Sequence, residues 1–214
     1  MPKKKNEFTV YGARGSGSVP VEATLELLKL PYKVIEGATW SEEKARKRVA
    51  KANPLQQVPT LILPSGEIMT ESAAILIWLA DNHPKAKLCP KVDSKKRAEY
   101  LRWMVYIPAA IYSMFWVRDQ PSRLAHGEDA EAVIRHRTAE RIAECWRFMD
   151  KQVKPKKYIL GDEMSVLDIY VTVVSRWTPG RKRFYKEAPK LAKIAKRVDA
   201  DPRLKAFWAK RFPL

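Results

Sequence analysis

The rhythm of apolar and polar positions along this chain changes near residue 84. Before that point, short extended runs alternate with helical ones. Glu7 to Tyr11 alternates as a strand does, sending successive side chains to opposite faces. Ser16 to Ser18 form a small-residue loop, and Pro20 suits the first turn of a helix running to about Leu30. Tyr32 to Glu36 reads as a second strand. Ser41-Glu42-Glu43 opens a charged helix to about Asn53, with acids where the helix dipole favours them. The run Val58-Pro59-Thr60-Leu61, the turn Pro64-Ser65-Gly66-Glu67 and then Ile68-Met69-Thr70 predict two short strands in a hairpin. Proline inside a strand pattern removes a ladder donor and belongs at an edge or bulge. Ser72 follows as an N-cap for the apolar helix Ala73 to Ala80, which stops at Asp81-Asn82-His83-Pro84.

The resulting order is β-α-β-α-β-β-α, in which a right-handed crossover builds a parallel pair and the hairpin adds an antiparallel edge. After a Pro/Lys connector at roughly 84–91 the spacing is helical throughout, with helices predicted near 92–120, 129–152, 165–178, 188–199 and 202–210. The expected fold class is therefore α/β followed by all-α, divided into domains at 1–84 and 85–214. Within the second half, Ser165 before an apolar helix and Asp168 three residues on form a capping-box pattern.

Composition narrows the picture. The chain has 214 residues, is 46% apolar and holds 7 Trp, which is enough to bury a core and excludes a disordered chain. Met1-Pro2-Lys3-Lys4-Lys5-Asn6 lacks the apolar stretch of a secretory signal, and the uncharged stretch Trp103 to Val117 falls short of the ~20 residues a membrane span needs. The expected location is cytoplasmic. Cys89 and Cys145 form no metal or redox motif, and His83, His126 and His136 show no ligand spacing, so no metal is expected. Gly12, Gly15 and Gly17 lack the residues that complete a phosphate loop or dinucleotide fingerprint.

The net charge of +17 is unevenly placed. Residues 1–84 carry 11 Lys/Arg and 9 Asp/Glu, whereas 85–214 carry 30 and 15. Such asymmetry fits either a solvated basic surface or attraction to an anionic partner. Most of the basic residues fall on predicted helix faces; Lys154-Pro155-Lys156-Lys157 and Arg181-Lys182-Arg183 are the exceptions to test for such a partner.

Gln57-Val58-Pro59-Thr60-Leu61 followed by Glu71-Ser72-Ala73-Ala74-Ile75 resembles the thioredoxin-like domain of cytosolic glutathione transferases, and the Ser165/Asp168 pattern resembles the buried capping box of their helical domain. The resemblance spans about Glu7 to Trp208. It implies a cis Val58–Pro59 bond, with Gln57, Val58 and Pro59 holding the cysteinyl part of glutathione and Glu71 and Ser72 its γ-glutamyl end. Glutathione would be co-substrate, with no resident cofactor. The implied protein is a homodimer that attacks small electrophiles in detoxification.

Such chemistry needs the thiolate, and lowering a thiol pKa of about 8.5 by ~2 units requires roughly 3 kcal/mol. A hydroxyl donor and the N-terminus of the first helix are the expected sources. Aligning Arg14-Gly15 on the tyrosine-type pattern puts Val10 in the catalytic place, with Tyr11 on the opposite strand face. Serine- and cysteine-type members carry their residue five positions after a strand-end tyrosine, which is Ser16 here, with a matching Pro20. Ser18 is the other candidate, and both serines also suit a purely capping role. Tyr106 and Ala110, one helical turn apart, are the expected pocket residues for the electrophile. The alternative function is a transferase-like binding module whose basic helical half holds nucleic acid or an acidic partner.

Overall fold

The computed structural model describes residues 6–41, 43–177 and 179–212. The N-terminal Met1–Lys5 run, Glu42 and Thr178 therefore lie outside the described residues. The chain forms two compact units, one from Met1–Lys91 with Asp199–Leu214 and the other from Val92–Val198. This division differs from a cut at residue 84: the connector and the C-terminal segment both go with the first unit.

In the first unit, β1 (Phe8–Gly12), β2 (Tyr32–Glu36), β3 (Thr60–Ile62) and β4 (Ile68–Met69) make a sheet of order β2-β1-β3-β4. β1 and β2 are parallel, Val10 facing Val34, while β3 runs antiparallel to both β1 and β4. Val10 and Leu61 sit opposite each other at the centre and are fully buried. The β3–β4 turn closes through the Gly66 N–H donating to Leu63 O at 2.9 Å, with Gly66 at φ 93°, a backbone state that favours glycine. α1 (Val19–Leu28), with Pro20 in its first turn, packs against α3 (Ser72–Asn82). The charged helix is α2 (Glu43–Ala50), which buries only Ala45 and Val49.

Ser72 is the first residue of α3 and not its cap: the cap position belongs to Glu71, at φ 63°, ψ 104°. The expected capping serine is thus displaced by one residue.

The second unit is helical. The predicted helix 92–120 starts at Arg97 and divides into α4 (Arg97–Tyr106), a π-helical segment Ile107–Tyr112 and α5 (Ser113–Asp119). Pro108 has no N–H to donate to the turn behind it, and the helix accommodates that by widening. α6 (Glu128–Gln152) follows, then α7 (Val166–Val174), every residue of which is buried. A helix this apolar on every face, broken only by Asp168 and Thr172, is a core helix. Its entry is fixed by Asp168: Oδ2 accepts from the Ser165 N–H at 2.8 Å and the Ser165 hydroxyl at 2.7 Å, and Oδ1 from the Ile159 N–H at 2.9 Å.

α8 (Arg181–Glu187) has no counterpart in the sequence reading, where Arg181-Lys182-Arg183 is only a basic run. It has little apolar periodicity to reveal it, burying only Phe184. Phe184 packs edge-on to Trp146 of α6 at 5.0 Å, and beside it Arg183 reaches both oxygens of Glu140 at 3.0 and 2.9 Å and Glu187 at 3.2 Å. α9 (Pro189–Asp199) completes this unit, and α10 (Lys205–Arg211) packs against α1 in the first unit.

Candidate active site at the end of β1

The sheet register brings three segments together. β1 ends at Gly12; β3 begins opposite Tyr11; β4 returns alongside β3, so that its end lies level with the start of β3. The loop 12–18, the segment Gln57–Pro59 and the pair Glu71-Ser72 therefore all leave the sheet at its β1 C-terminal end.

The Val58–Pro59 peptide bond is cis. Pro59 is buried and Val58 half-buried, and among the described residues neither the Val58 N–H nor its carbonyl has a hydrogen-bond partner. Unpaired backbone groups beside a sheet are an edge open to an extended peptide. The neighbouring loop is set by Asn53, a residue the sequence reading passed over. Its side chain donates to Gln57 O at 3.1 Å and accepts from the Leu55 N–H at 3.0 Å. Gln57 itself is exposed.

Glu71 holds a positive φ that a β-carbon disfavours, and such outliers persist where surrounding structure imposes them. Its side chain is exposed and has no hydrogen bond or ion pair among the described residues. Ser72 beside it is buried at the start of α3, where backbone N–H groups lack intrahelical acceptors.

Ser16 is buried. Its hydroxyl donates to Ala13 O at 2.8 Å, accepts from the Ser18 N–H at 3.1 Å and the Ala13 N–H at 3.3 Å, and lies 3.0 Å from Ser18 Oγ. Ser18, fully buried, donates to Glu22 Oε1 at 2.7 Å. Gly12 is required here, since a β-carbon would collide with the Ser18 side chain. The Gly17 N–H, in the same buried loop, has no partner among the described residues.

No local pattern marks Glu22 or Arg211. Glu22 is 1% exposed and Arg211 2%. Two guanidinium nitrogens of Arg211 each lie 2.9 Å from an oxygen of Glu22, and a third bonds Glu36. Arg211 O also accepts the Gly15 N–H at 3.2 Å. Burial pushes the Glu22 carboxyl above its ordinary range, opposed first by Arg211 and then by the Ser18 hydroxyl. No short-range signal joins residues 189 positions apart, and only the fold brings them together.

Tyr106 and Ala110 lie in the second unit at the π segment. The Tyr106 hydroxyl donates to Cys145 O at 3.2 Å, and its ring packs edge-on to Trp103 at 5.3 Å. Burial raises the phenol above its ordinary range. Ala110 O accepts the Cys145 thiol at 3.5 Å. Cys145 is buried and Cys89 donates to Asp81 at 3.2 Å. Among the described residues no cluster of three His, Cys, Asp or Glu side chains is placed to hold a metal, and no helix is long and apolar enough to cross a membrane.

A thioredoxin-like sheet unit with its proline-flanked edge, followed by an all-helical unit, is the architecture these elements define. The family description "Glutathione S-transferase, N-terminal domain" matches residues 16–82, and "Glutathione S-transferase, C-terminal domain" matches 119–211. The uncharacterized GST-like protein YncG of Escherichia coli K12 is 33% identical over 196 residues, covering 91% of this chain and 94% of its own. The chain belongs to the glutathione S-transferase family. A glutathione transferase homologue from Sulfitobacter, solved with bound glutathione, is 26% identical with a TM-score of 0.84, covering 96% of this chain and 98% of its own. The beta class enzyme of Sphingomonas chungbukensis shares the fold at a TM-score of 0.78 and 21% identity, over 96% of this chain and 100% of its own.

Proposed function

We propose that this protein binds glutathione at the end of β1 and activates its thiol for attack on small electrophiles. The convergence of the loop 12–18, the unpaired Val58 backbone and Glu71-Ser72 carries this reading. In it, the extended tripeptide pairs through its cysteinyl residue with Val58. The α-amino group of the γ-glutamyl end meets the unpaired Glu71 carboxylate, and the carboxylate of that end meets the start of α3, where the helix dipole favours an anion. This order puts the cysteinyl sulfur toward the loop before α1.

Ser16 is the proposed donor to the sulfur. Its proton turns from Ala13 O to the thiolate while its two accepted N–H bonds keep the oxygen in place. Ser18 is bound to Glu22 and serves as support. Tyr106 and Ala110 are proposed to border the electrophile's place, Tyr106 through its ring, since its hydroxyl is engaged. The working form is proposed to be a cytoplasmic homodimer, with exposed Leu101 and Val105, one turn apart on α4, in the contact.

Retention on immobilised glutathione tests the reading. The protein is expected to bind and Glu71→Ala to lose retention; a protein with no affinity at millimolar glutathione overturns it.

A further inference from the structure

Within the second unit, the extended segment after α6 and one face of α9 enclose a groove of about 450 Å³. It is lined by Lys154, Lys156, Lys190, Lys193 and Arg197 over a floor of Val153, Pro155 and Ile194. Val153 and Ile194 are buried, whereas Lys154, Lys156, Lys193 and Arg197 are exposed. Lys190, Lys193 and Arg197 recur at helical spacing, so they rise on one face of α9.

The charges are not neutralised from within. Among the described residues, only Lys156 of the five has a carboxylate partner, the exposed Asp162 at 3.3 Å. Lys190 donates to Val153 O at 2.7 Å and Arg197 to Lys157 O, contacts that orient both cations without cancelling their charge. The other dense basic run behaves differently: Arg183 is spent on Glu140 and Glu187. Basic residues here are thus gathered around a concavity.

We propose that this groove is a binding site for phosphate esters carrying two or more phosphates. Five cations within one concavity favour a ligand that brings several charges at once, and lysine ammonium groups bind phosphate as point charges without demanding a planar acceptor. A volume of this size accepts a nucleotide unit. Val153 and Ile194 are buried beneath the groove, so half-buried Pro155 and the lysine stems offer apolar surface to a base or sugar, while the ammonium groups and Arg197 take the phosphates. The site is independent of glutathione binding, which uses residues of the other unit.

The test uses the full-length protein with three probes in equilibrium dialysis: inorganic tripolyphosphate, a nucleoside triphosphate and a single-stranded oligonucleotide. Binding is expected to weaken with salt, each removed cation lowering the log–log salt slope by about one. The Lys154→Glu/Lys193→Glu double variant is expected to lose about tenfold or more in affinity, and Lys47→Glu/Lys51→Glu, with the same change in charge, to bind as wild type. All four positions are exposed, and unchanged glutathione retention reports that the variants fold. Binding of the two small probes assigns the groove to free nucleotides or polyphosphate; binding of the oligonucleotide alone assigns it to a nucleic-acid backbone. If no probe binds at low salt, or if both double variants weaken binding equally, the site does not exist and the basicity is diffuse.

Discussion

A serine hydroxyl has one proton and two lone pairs, and at Ser16 all three are in use. Giving the proton to a thiolate exchanges a neutral hydrogen bond with Ala13 O for a charge-assisted one. The net gain is the difference, about 1.5 kcal/mol. Ser16→Ala is therefore expected to lower turnover roughly tenfold at neutral pH, with glutathione affinity nearly unchanged, because Val58, Glu71 and Ser72 are untouched. The deficit should close as pH rises, since solvent base then forms the thiolate unaided; turnover against pH for both proteins is the measurement. Ser18→Ala is expected to act on stability, as it removes a buried donor to Glu22, with little change in that pH profile. If neither serine moves the profile, the Gly17 N–H is the donor.

At the scale of elements, α1 and α10 are joined by a buried ion pair, and α7 is anchored by a buried carboxylate. A buried pair is costly to break from one side, because the remaining charge has no solvent. Arg211→Met leaves the buried Glu22 carboxylate without its cation and is expected to destabilise by about 3 kcal/mol or more; Glu22→Gln, after which Glu36 still pairs Arg211, is expected to cost less, and the double variant less than the sum, read from urea midpoints in a double-mutant cycle.

Asp168 gives a pH signature. Burial pushes its carboxyl up to about 6 from 3.8, against the pull of three donors. A folded-state value above the unfolded one means that the native protein binds the proton more tightly. Its contribution is then complete below about pH 4 and is lost as pH rises to about 6. Measured against Asp168→Asn, the wild-type advantage is expected to shrink by up to about 3 kcal/mol across that window. An advantage that grows with pH would show that the three donors outweigh burial.

At the scale of the molecule, the two compact units do not follow the order of the chain: α10 returns to the sheet unit, where Arg211 meets both Glu22 and the Gly15 loop. Removing residues 205–214 is therefore expected to weaken glutathione retention and thermal stability together. A shortened chain that melts and binds as the full one would show the return to be incidental. For the proposed dimer, Val105→Glu is expected to shift sedimentation toward the monomer, since it puts a charge into an apolar contact.

The sequence by itself determined what local rules can encode. Strand alternation, the Pro59 hairpin, Pro20 in the first turn of α1 and the Ser165/Asp168 box are written within a few residues of one another, and the order of elements follows from them. It was silent where the information is not local. α8 is joined to α6 by one buried aromatic, Phe184 on Trp146, and by Arg183 reaching back to Glu140, so no apolar period marks it. The π segment follows from how one proline is absorbed by a long helix. Nor could spacing show that Ser18 faces inward to Glu22 while Val58 stays unpaired, because the closing of the sheet fixes both. The groove over Val153 and Ile194 exists only because α9 packs beside the end of α6. Patterns along the chain fix the elements; which charges meet, which stay open and which are buried is decided by packing, since electrostatic partners are chosen by distance in space and not along the chain.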